Sequence, residues 1–372
     1  MKMINQKSAG ALALVASAAL ALTACSGGSA NETTATEETS TGALKIATLL
    51  PQTGALGFLM PPVQAGIAQA MADINDAGGV LGNPIEIVAE ANEGDGADIT
   101  IVEKGSDEVI ASGASFVLGA MSSSRTLHVV DKITGEGILM GSPSNTASAL
   151  SGVSPKFFRT APPDSVQGNA LATQILSDGK SSVGFLTFND DYGLGLRDTI
   201  QEVVEAGGAE VVYGAKGEGN EFPVDQTSFA SEVTAVKASG ADAIVIVTFD
   251  QIKAIIPELV AQGVDLSTVY LVDGNTNGFE ADFEPGTLLG AQGSIPGAQA
   301  DEAFQAQLQE IYSAEFGGEL VSFTYAPEAV SNTLVIADRC NLSLPVDGKT
   351  YYFPHFDPPE GQNHDDMLKE LA

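Results

Sequence analysis

The sequence predicts an α/β protein with two open, mostly parallel lobes joined by a hinge. Short apolar runs alternate with longer amphipathic stretches from residue 44 to residue 140, and the same order restarts after Pro162-Pro163. The chain has 372 residues, 44% of them hydrophobic. Roughly 330 residues remain beyond a processed N-terminus, which is enough for two lobes with a substantial core.

The N-terminus predicts a lipoprotein signal peptide over residues 1–24. Two lysines precede an apolar run over residues 9–22, which is too short, at about 14 residues, to span a bilayer. The following Leu22-Thr23-Ala24-Cys25 resembles the bacterial lipobox, so Cys25 is the predicted lipidation site. The alternative is that Cys25 merely ends an ordinary signal peptide. Residues 25–42 are polar and small, which is typical of a flexible tether.

Charge and cysteine content exclude several classes of protein. The 48 acidic and 16 basic side chains give a net charge of −32, which argues against nucleic acid and anionic lipid as partners. Two cysteines, Cys25 and Cys340, exclude a small disulfide-stapled scaffold. No metal or cofactor motif is present, and any membrane contact is expected through the lipid alone.

The elements of the first lobe follow from hydrophobic periodicity and are ended by turn residues such as Gly78-Gly79. The predicted strands cover residues 44–50, 85–88, 115–119 and 137–140. The predicted helices cover residues 63–74, 99–110 and 126–133.

The second lobe repeats this alternation. Its predicted helices cover residues 165–176, 195–206, 229–238 and 252–262, and its strands residues 183–187, 210–213, 243–248 and 269–272. Helices are also predicted at 303–316 and 327–338. Lobe 1 is expected to comprise 43–158 and 296–338, and lobe 2 159–295, with crossings near 158–164 and 289–297. Residues 339–372 form an atypical, proline-broken C-terminal segment.

Several local patterns together resemble a known family, the type I periplasmic binding proteins for leucine, isoleucine and valine. The likeness extends over about residues 43–338. The patterns are TLLPQTG at 48–54, INDAGGVLG at 74–82, LGAMSSS at 118–124, FFRTAPPD at 157–164, NDDYG at 189–193 and YAPEA at 325–329. The resemblance implies an extracytoplasmic, monomeric receptor that binds an amino acid between its lobes and delivers it to the permease subunits of an ABC importer.

A free amino acid needs hydrogen-bond donors for its carboxylate and acceptors for its ammonium group. Ser123 and Ser124 lie between a predicted strand and a helix, where hydroxyls and free N–H groups meet at a helix N-terminus. The alternative is that a serine here is only a helix cap. The resemblance places the carboxylate contact at Ser123, joined by Ser144, Asn145 and Thr146 after the next strand.

The second lobe is expected to close over the ligand with Tyr192, while Phe249 and Asn275 follow later strands in the same way. The resemblance implies an acidic ammonium partner after Val272. The sequence has Asn275 at that position and Asp273 two places before it, so the partner stays open. Phe58 or Leu59 is the predicted apolar contact for the ligand side chain, and the alternative is that either is only a satellite core residue.

Two other function classes compete with this interpretation. An extracellular hydrolase would need a nucleophile and a base, but no Gly-x-Ser-x-Gly elbow occurs and the histidines are His128, His355 and His364. His128 is expected on a helix surface. A receptor of the same architecture for an amide, urea or aromatic acid stays open.

Overall fold

The computed structural model describes residues 42–94, 98–276, 279, 282–294 and 302–318. The predicted signal peptide, Cys25, the helix at 327–338, Cys340, His355 and His364 lie outside these residues. Within them, no helix is both long enough and apolar enough to cross a membrane.

Lobe 1 is built on a five-stranded parallel sheet in the order β2-β1-β3-β4-β5. Strand β1, which pairs with β2 on one side and β3 on the other, buries five of its six residues, as expected for a sheet covered on both faces. Its elements are β1 (Lys45–Leu50), α1 (Met60–Asp76), β2 (Glu86–Asn92), α2 (Thr100–Ala111), β3 (Phe116–Gly119), α3 (Ser123–Gly135), β4 (Leu139–Ser142) and β5 (Phe157–Arg159).

Lobe 2 is built on a second five-stranded parallel sheet, in the order β10-β9-β8-β6-β7. Strand β8 has the sequence AIVIV and is buried throughout. The elements are α4 (Asp164–Ser177), β6 (Ser182–Thr187), α5 (Asp191–Ala206), β7 (Glu210–Tyr213), α6 (Ala230–Ala238), β8 (Ala243–Val247), α7 (Ile252–Ala261), β9 (Val269–Leu271), α8 (Asp273–Thr276) and β10 (Gln292–Gly293).

After β10 the described chain continues in α9 (Glu302–Glu315), which packs on α1 of lobe 1. Leu308 and Ala65 are fully buried at this contact. The two-lobed α/β fold expected from the sequence is therefore confirmed.

Several helices begin earlier than periodicity predicts. Helix α3 begins at Ser123 rather than residue 126, α5 at Asp191 rather than 195, and α1 at Met60 rather than 63. The first turn of α3, residues 123–126, is polar throughout, so the apolar repeat that reveals this helix starts only in the second turn.

The strand order determines where a ligand can bind. In lobe 1 the order reverses between β1 and β3, and in lobe 2 between β6 and β8. Parallel strands open a crevice at such a reversal, outside their carboxyl ends. The loops after these four strands are therefore the expected walls of a site.

Candidate functional site

A cavity of about 300 Å³ lies between the strand ends of the two lobes. This volume includes space that is open to solvent. Among the described residues, the lining carries no lysine, arginine, histidine or cysteine. The lining residues are Leu56, Phe58, Leu59, Met121, Ser122, Ser123, Ser144, Asn145, Thr146, Tyr192, Phe249, Asp273 and Gly274.

The turn from β3 into α3 forms the centre of the lobe 1 wall. Gly119 ends β3 at φ +121°, and a Cβ placed there would lie 1.9 Å from the carbonyl oxygen of Leu49. Only glycine allows this close approach to β1. Ser122 then caps α3, because its Oγ accepts a hydrogen bond from the backbone N–H of Arg125. The helix cap is thus Ser122, which leaves Ser123 as the first helical residue.

Hydroxyl groups connect this turn to the loop after β4. Ser123 Oγ accepts hydrogen bonds from the backbone N–H groups of Thr146 (3.3 Å) and Ala147 (3.1 Å). Ser144 Oγ donates to the carbonyl oxygen of Met121 at 2.9 Å. The lobe 1 wall is therefore a neutral surface of hydroxyls and backbone groups, held in place by its own hydrogen bonds.

A buried acid, Glu93, supports the same turn from behind. Its side chain is fully buried, and its two carboxylate oxygens accept from the backbone N–H groups of Met121 (2.5 Å) and Ser122 (2.9 Å). A carboxylate at a helix N-terminus is stabilised by the unpaired N–H groups and the helix dipole. Sequence reasoning missed Glu93; the available signal was an acidic residue directly after a strand of the lobe 1 sheet.

The lobe 2 wall is acidic and aromatic. Tyr192 Oη donates to Asp273 Oδ1 at 2.5 Å and accepts from the backbone N–H of Gly274 at 3.2 Å. The Tyr192 ring stacks on Phe249, with centroids 5.2 Å apart and planes 11° apart. Asp273 is 2% exposed, so this wall presents a desolvated carboxylate beside two aromatic rings.

A second buried carboxylate, Asp164, begins α4 and accepts no hydrogen bond from the described residues. Burial and the negative charge of Asp273 raise the pKa of Asp164 to about 8, against smaller opposite effects of the Thr146 hydroxyl and the Arg159 guanidinium. Arg159 donates to Ala147 O (2.8 Å) and to the Ser151 hydroxyl (2.8 Å), so its hydrogen bonds go to lobe 1 rather than to Asp164.

Among the described residues, the contacts between the two lobes include a side-chain hydrogen bond and a pair of aromatic rings. Ser124 Oγ donates to Asp190 Oδ2 at 2.5 Å, and Asp190 also caps α5 by accepting from the backbone N–H of Tyr192. Burial raises the pKa of Asp190, although the hydrogen bond from Ser124 opposes the shift. The rings of Phe58 and Phe279 meet with centroids 4.6 Å apart.

The structure brings most of the predicted site residues together. Those that line the cavity are Phe58, Ser123, Ser144, Asn145, Thr146, Tyr192 and Phe249. Ser124 does not line it, because its hydroxyl is turned to Asp190.

Asn275 also lies outside the lining. Its amide nitrogen donates to Ile246 O (2.8 Å) and Thr248 Oγ1 (3.0 Å), while its oxygen accepts from Val272 N (2.9 Å). All three groups belong to strand ends, so the side chain connects them to one another. The acidic residue in this segment that reaches the cavity is Asp273.

Other chemistry has little support in the described part of the chain. No group of three or more His, Cys, Asp or Glu side chains is placed to hold a metal ion there. His128 lies on α3, 3.2 Å from Glu103, with its side chain 37% exposed, and is not part of the cavity lining.

We compared the sequence with models of known protein families. The model of the periplasmic binding protein family matches residues 43–338. The chain belongs to this family. The resemblance found in the sequence is thus confirmed, and it covers the same residues.

Relatives and structural neighbours agree with the family. The chain is similar to the Leu/Ile/Val-binding protein of Escherichia coli (strain K12), with 34% identity over 150 residues. This alignment covers 40% of each chain, so it spans well under half of the relative's length.

Among solved structures, the chain resembles the branched-chain amino acid transporter substrate-binding protein LivJ from Streptococcus pneumoniae in complex with isoleucine. The TM-score is 0.65 at 20% identity, covering 80% of this chain and 84% of that one. It also resembles a solute-binding protein from R. palustris in complex with 4-hydroxybenzoate, with a TM-score of 0.66 at 16% identity and 80% coverage of both chains. At these identities the likeness shows the fold alone.

Proposed function

We propose that this chain is the extracytoplasmic substrate-binding protein of an ABC importer and that it captures a small amino acid of the branched-chain type. The observation that carries the proposal is the polarity of the cavity, with a neutral donor wall on lobe 1 facing a buried carboxylate on lobe 2. A zwitterion satisfies both walls at once.

Each end of the ligand has a proposed partner. Ser123, Ser144 and Thr146, together with the N-terminus of α3, receive the ligand carboxylate. Asp273 receives the ammonium group, in place of Asn275, whose amide is occupied by strand ends. The aliphatic side chain packs against Phe58 and Phe249, and Asn145 supports the wall by donating to Ala120 O.

An aromatic-acid receptor of the same fold is the second candidate, because one structural neighbour holds 4-hydroxybenzoate. Such an acid has no cation to pair with Asp273, and its own carboxylate would bring a second negative charge beside that buried acid, which is unfavourable. This electrostatic argument favours an amine-bearing ligand. The composition of the lining favours binding over hydrolysis, since the described residues that line the cavity include no histidine or cysteine.

A titration panel tests the ligand class. We expect L-leucine, L-isoleucine and L-valine to bind in calorimetry and to raise the melting temperature. 4-Methylpentanoate, which is leucine without its amino group, and 4-hydroxybenzoate should do neither. Binding of 4-hydroxybenzoate without binding of any amino acid would contradict the proposal and favour the aromatic-acid receptor.

We further infer that the mature protein is a monomer held at the membrane through a lipid on Cys25 and that its lobes close about the hinge when ligand binds. Closure would present to the permease a shape that the open form lacks. Cys25→Ala should move the protein from the membrane fraction to the soluble fraction. Scattering profiles of the soluble variant that do not change with saturating leucine would contradict closure.

A further inference from the structure

One aromatic ring from each lobe takes part in a contact across the cleft. Phe58 belongs to a short 3₁₀ turn, Gly57–Leu59, just before α1 in lobe 1, and Phe279 follows α8 in lobe 2. The ring centroids lie 4.6 Å apart and the ring planes are inclined at 52°. Tilted rings at this distance attract each other. This contact, the Phe58–Phe279 pair, therefore stabilises the arrangement in which the two lobes are together.

The two rings are anchored to different degrees. Phe279 is 2% exposed and belongs to the hydrophobic core, and the Lys253 ammonium group lies over its ring, 5.3 Å from the centroid. Phe58 is half-buried and packs against that core from the turn that carries it. A buried ring is confined to one rotamer, whereas a half-buried ring on a turn has others within reach. Phe279 is thus the fixed member of the pair and Phe58 the adjustable one.

The adjustable ring borders the cavity and the fixed ring does not. Phe58 is one of the apolar residues that line the cavity from lobe 1, together with Leu56, Leu59 and Met121, whereas Phe279 lies outside the lining. A ligand whose carboxylate occupies the proposed donor wall of lobe 1 has this apolar part of the lining left for its side chain. The position of the Phe58 ring therefore sets how much room the side chain has.

We propose that Phe279 is a specificity-determining residue that acts through Phe58 and limits the length of the ligand's side chain. This inference rests on the proposed function and concerns the apolar part of the same site. A short side chain leaves the Phe58 ring in place, so the bound, closed protein keeps the Phe58–Phe279 pair. A longer one displaces the Phe58 ring, and the closed protein loses the pair. Since Phe279 is outside the lining, it is a positioning residue.

A series of straight-chain amino acids from L-alanine to L-2-aminooctanoate tests the length limit by calorimetric titration of wild type. The side chain grows by one methylene at each step, and each methylene that fits should raise affinity about fourfold. We expect the affinity to rise, to pass through a maximum within the series and then to fall. An affinity that rises through the whole series overturns the inference, whether or not any variant folds.

Phe279→Leu removes the ring but keeps an apolar side chain in the core. Leucine affinity should fall about two- to tenfold, the worth of an aromatic pair, because the closed protein no longer gains that contact. Affinity for L-2-aminooctanoate should not change, because this ligand has already displaced Phe58. The maximum of the series should accordingly move to a longer side chain.

A double-mutant cycle shows whether Phe279 acts through Phe58. Phe58→Leu and the double variant complete the cycle, with leucine affinity as the readout. The loss in the double variant should be smaller than the product of the two single losses, because either substitution alone already removes the pair. Losses that multiply would mean that Phe279 acts independently of Phe58, which overturns the inference.

Phe229→Leu is the matched control. Phe229 is also 2% exposed and packs on Phe222 of the same lobe, with centroids 5.0 Å apart, and neither ring lines the cavity. It should lower the melting temperature as Phe279→Leu does and keep the wild-type affinity profile. A folded Phe279→Leu with the wild-type profile overturns the inference and leaves the proposed function intact. Equal changes of profile in both variants also overturn it, since they report lost core packing. Failure of every amino acid to bind wild type overturns both.

Discussion

The two walls of the cavity hold buried acids in opposite ways. On lobe 1, Glu93 is fully buried and its carboxylate oxygens accept from two backbone N–H groups at the start of α3. On lobe 2, Asp273 accepts from the Tyr192 hydroxyl, and the carboxylate oxygens of Asp164 have no donor among the described residues. The buried acid of lobe 1 is thus held by two backbone N–H groups, whereas Asp164 on lobe 2 is not.

This difference assigns the two lobes different tasks in the proposed mechanism. A wall of hydrogen-bonded hydroxyls and backbone groups is pre-organised, so it receives an anion with little rearrangement. A buried acidic wall is instead stabilised by a cation. A zwitterion that spans the cavity therefore stabilises the state in which both walls contact it, which is the closed state.

The largest loss of leucine affinity is expected when the acidic wall of lobe 2 is neutralised. Asp273→Asn keeps the shape but removes the proposed ammonium partner, so leucine affinity should fall by about 3 to 5 kcal/mol, or more than a hundredfold. Calorimetric titration measures this loss. Asp282→Asn removes an exposed acid of the same lobe that lies 3.7 Å from Lys253, and it should leave affinity within about twofold. Equal losses in both variants would mean that Asp273 has no special role.

On lobe 1, the hydrogen bonds of the cavity wall can be tested at Ser123. Ser123→Ala leaves the N–H groups of Thr146 and Ala147 without their acceptor, so we expect a loss of about 1 to 3 kcal/mol in unfolding free energy and a ten- to a hundredfold loss in affinity. Ser154→Ala is the control, since Ser154 bonds Thr134 away from the cavity. It should cost about 1 kcal/mol of stability and no affinity. Wild-type affinity in Ser123→Ala would leave that residue a purely structural role.

The buried acid Asp164 should also be visible in the pH dependence of stability. The unfolded chain loses the Asp164 proton near pH 3.8, whereas the raised pKa of about 8 keeps it in the folded protein, so stability falls as pH rises between these values. Asp164→Asn removes this penalty. We compare the free energy of unfolding of the variant with that of wild type at each pH. This difference should be about 1 to 3 kcal/mol more in favour of the variant at pH 8 than at pH 4.5. Urea denaturation at the two pH values tests this, and a pH-independent difference would contradict it.

A smaller effect is expected where the walls meet. Ser124→Ala removes the hydrogen bond to Asp190 without touching the cavity lining, so it should weaken the closed state by about 0.5 to 1.5 kcal/mol. We expect affinity to fall about two- to tenfold, through faster leucine dissociation, with melting of the ligand-free protein nearly unchanged. Stopped-flow dissociation measures it. A slower association with unchanged dissociation would argue against a role of this bond in the closed state.

The sequence by itself determined much of the architecture and part of the site. Alternating apolar runs located the strands, because a strand buried on both faces must be apolar throughout, as β8 is. Polar residues directly after the strands marked the loops that line the cavity, since the carboxyl ends of parallel strands share one edge. Ser123, Thr146, Tyr192 and Phe249 were predicted on this basis together with the family resemblance.

Only the tertiary structure decided which polar side chains are satisfied. Ser124 and Asp190 lie 66 positions apart, and Glu93 lies 29 positions before its partner Ser122. Periodicity reports which face of an element is apolar, but it carries no information on the partner of a buried polar group. The unpaired state of Asp164, the choice of Asp273 over Asn275 and the support by Glu93 depend on long-range packing, which sets burial and donor geometry.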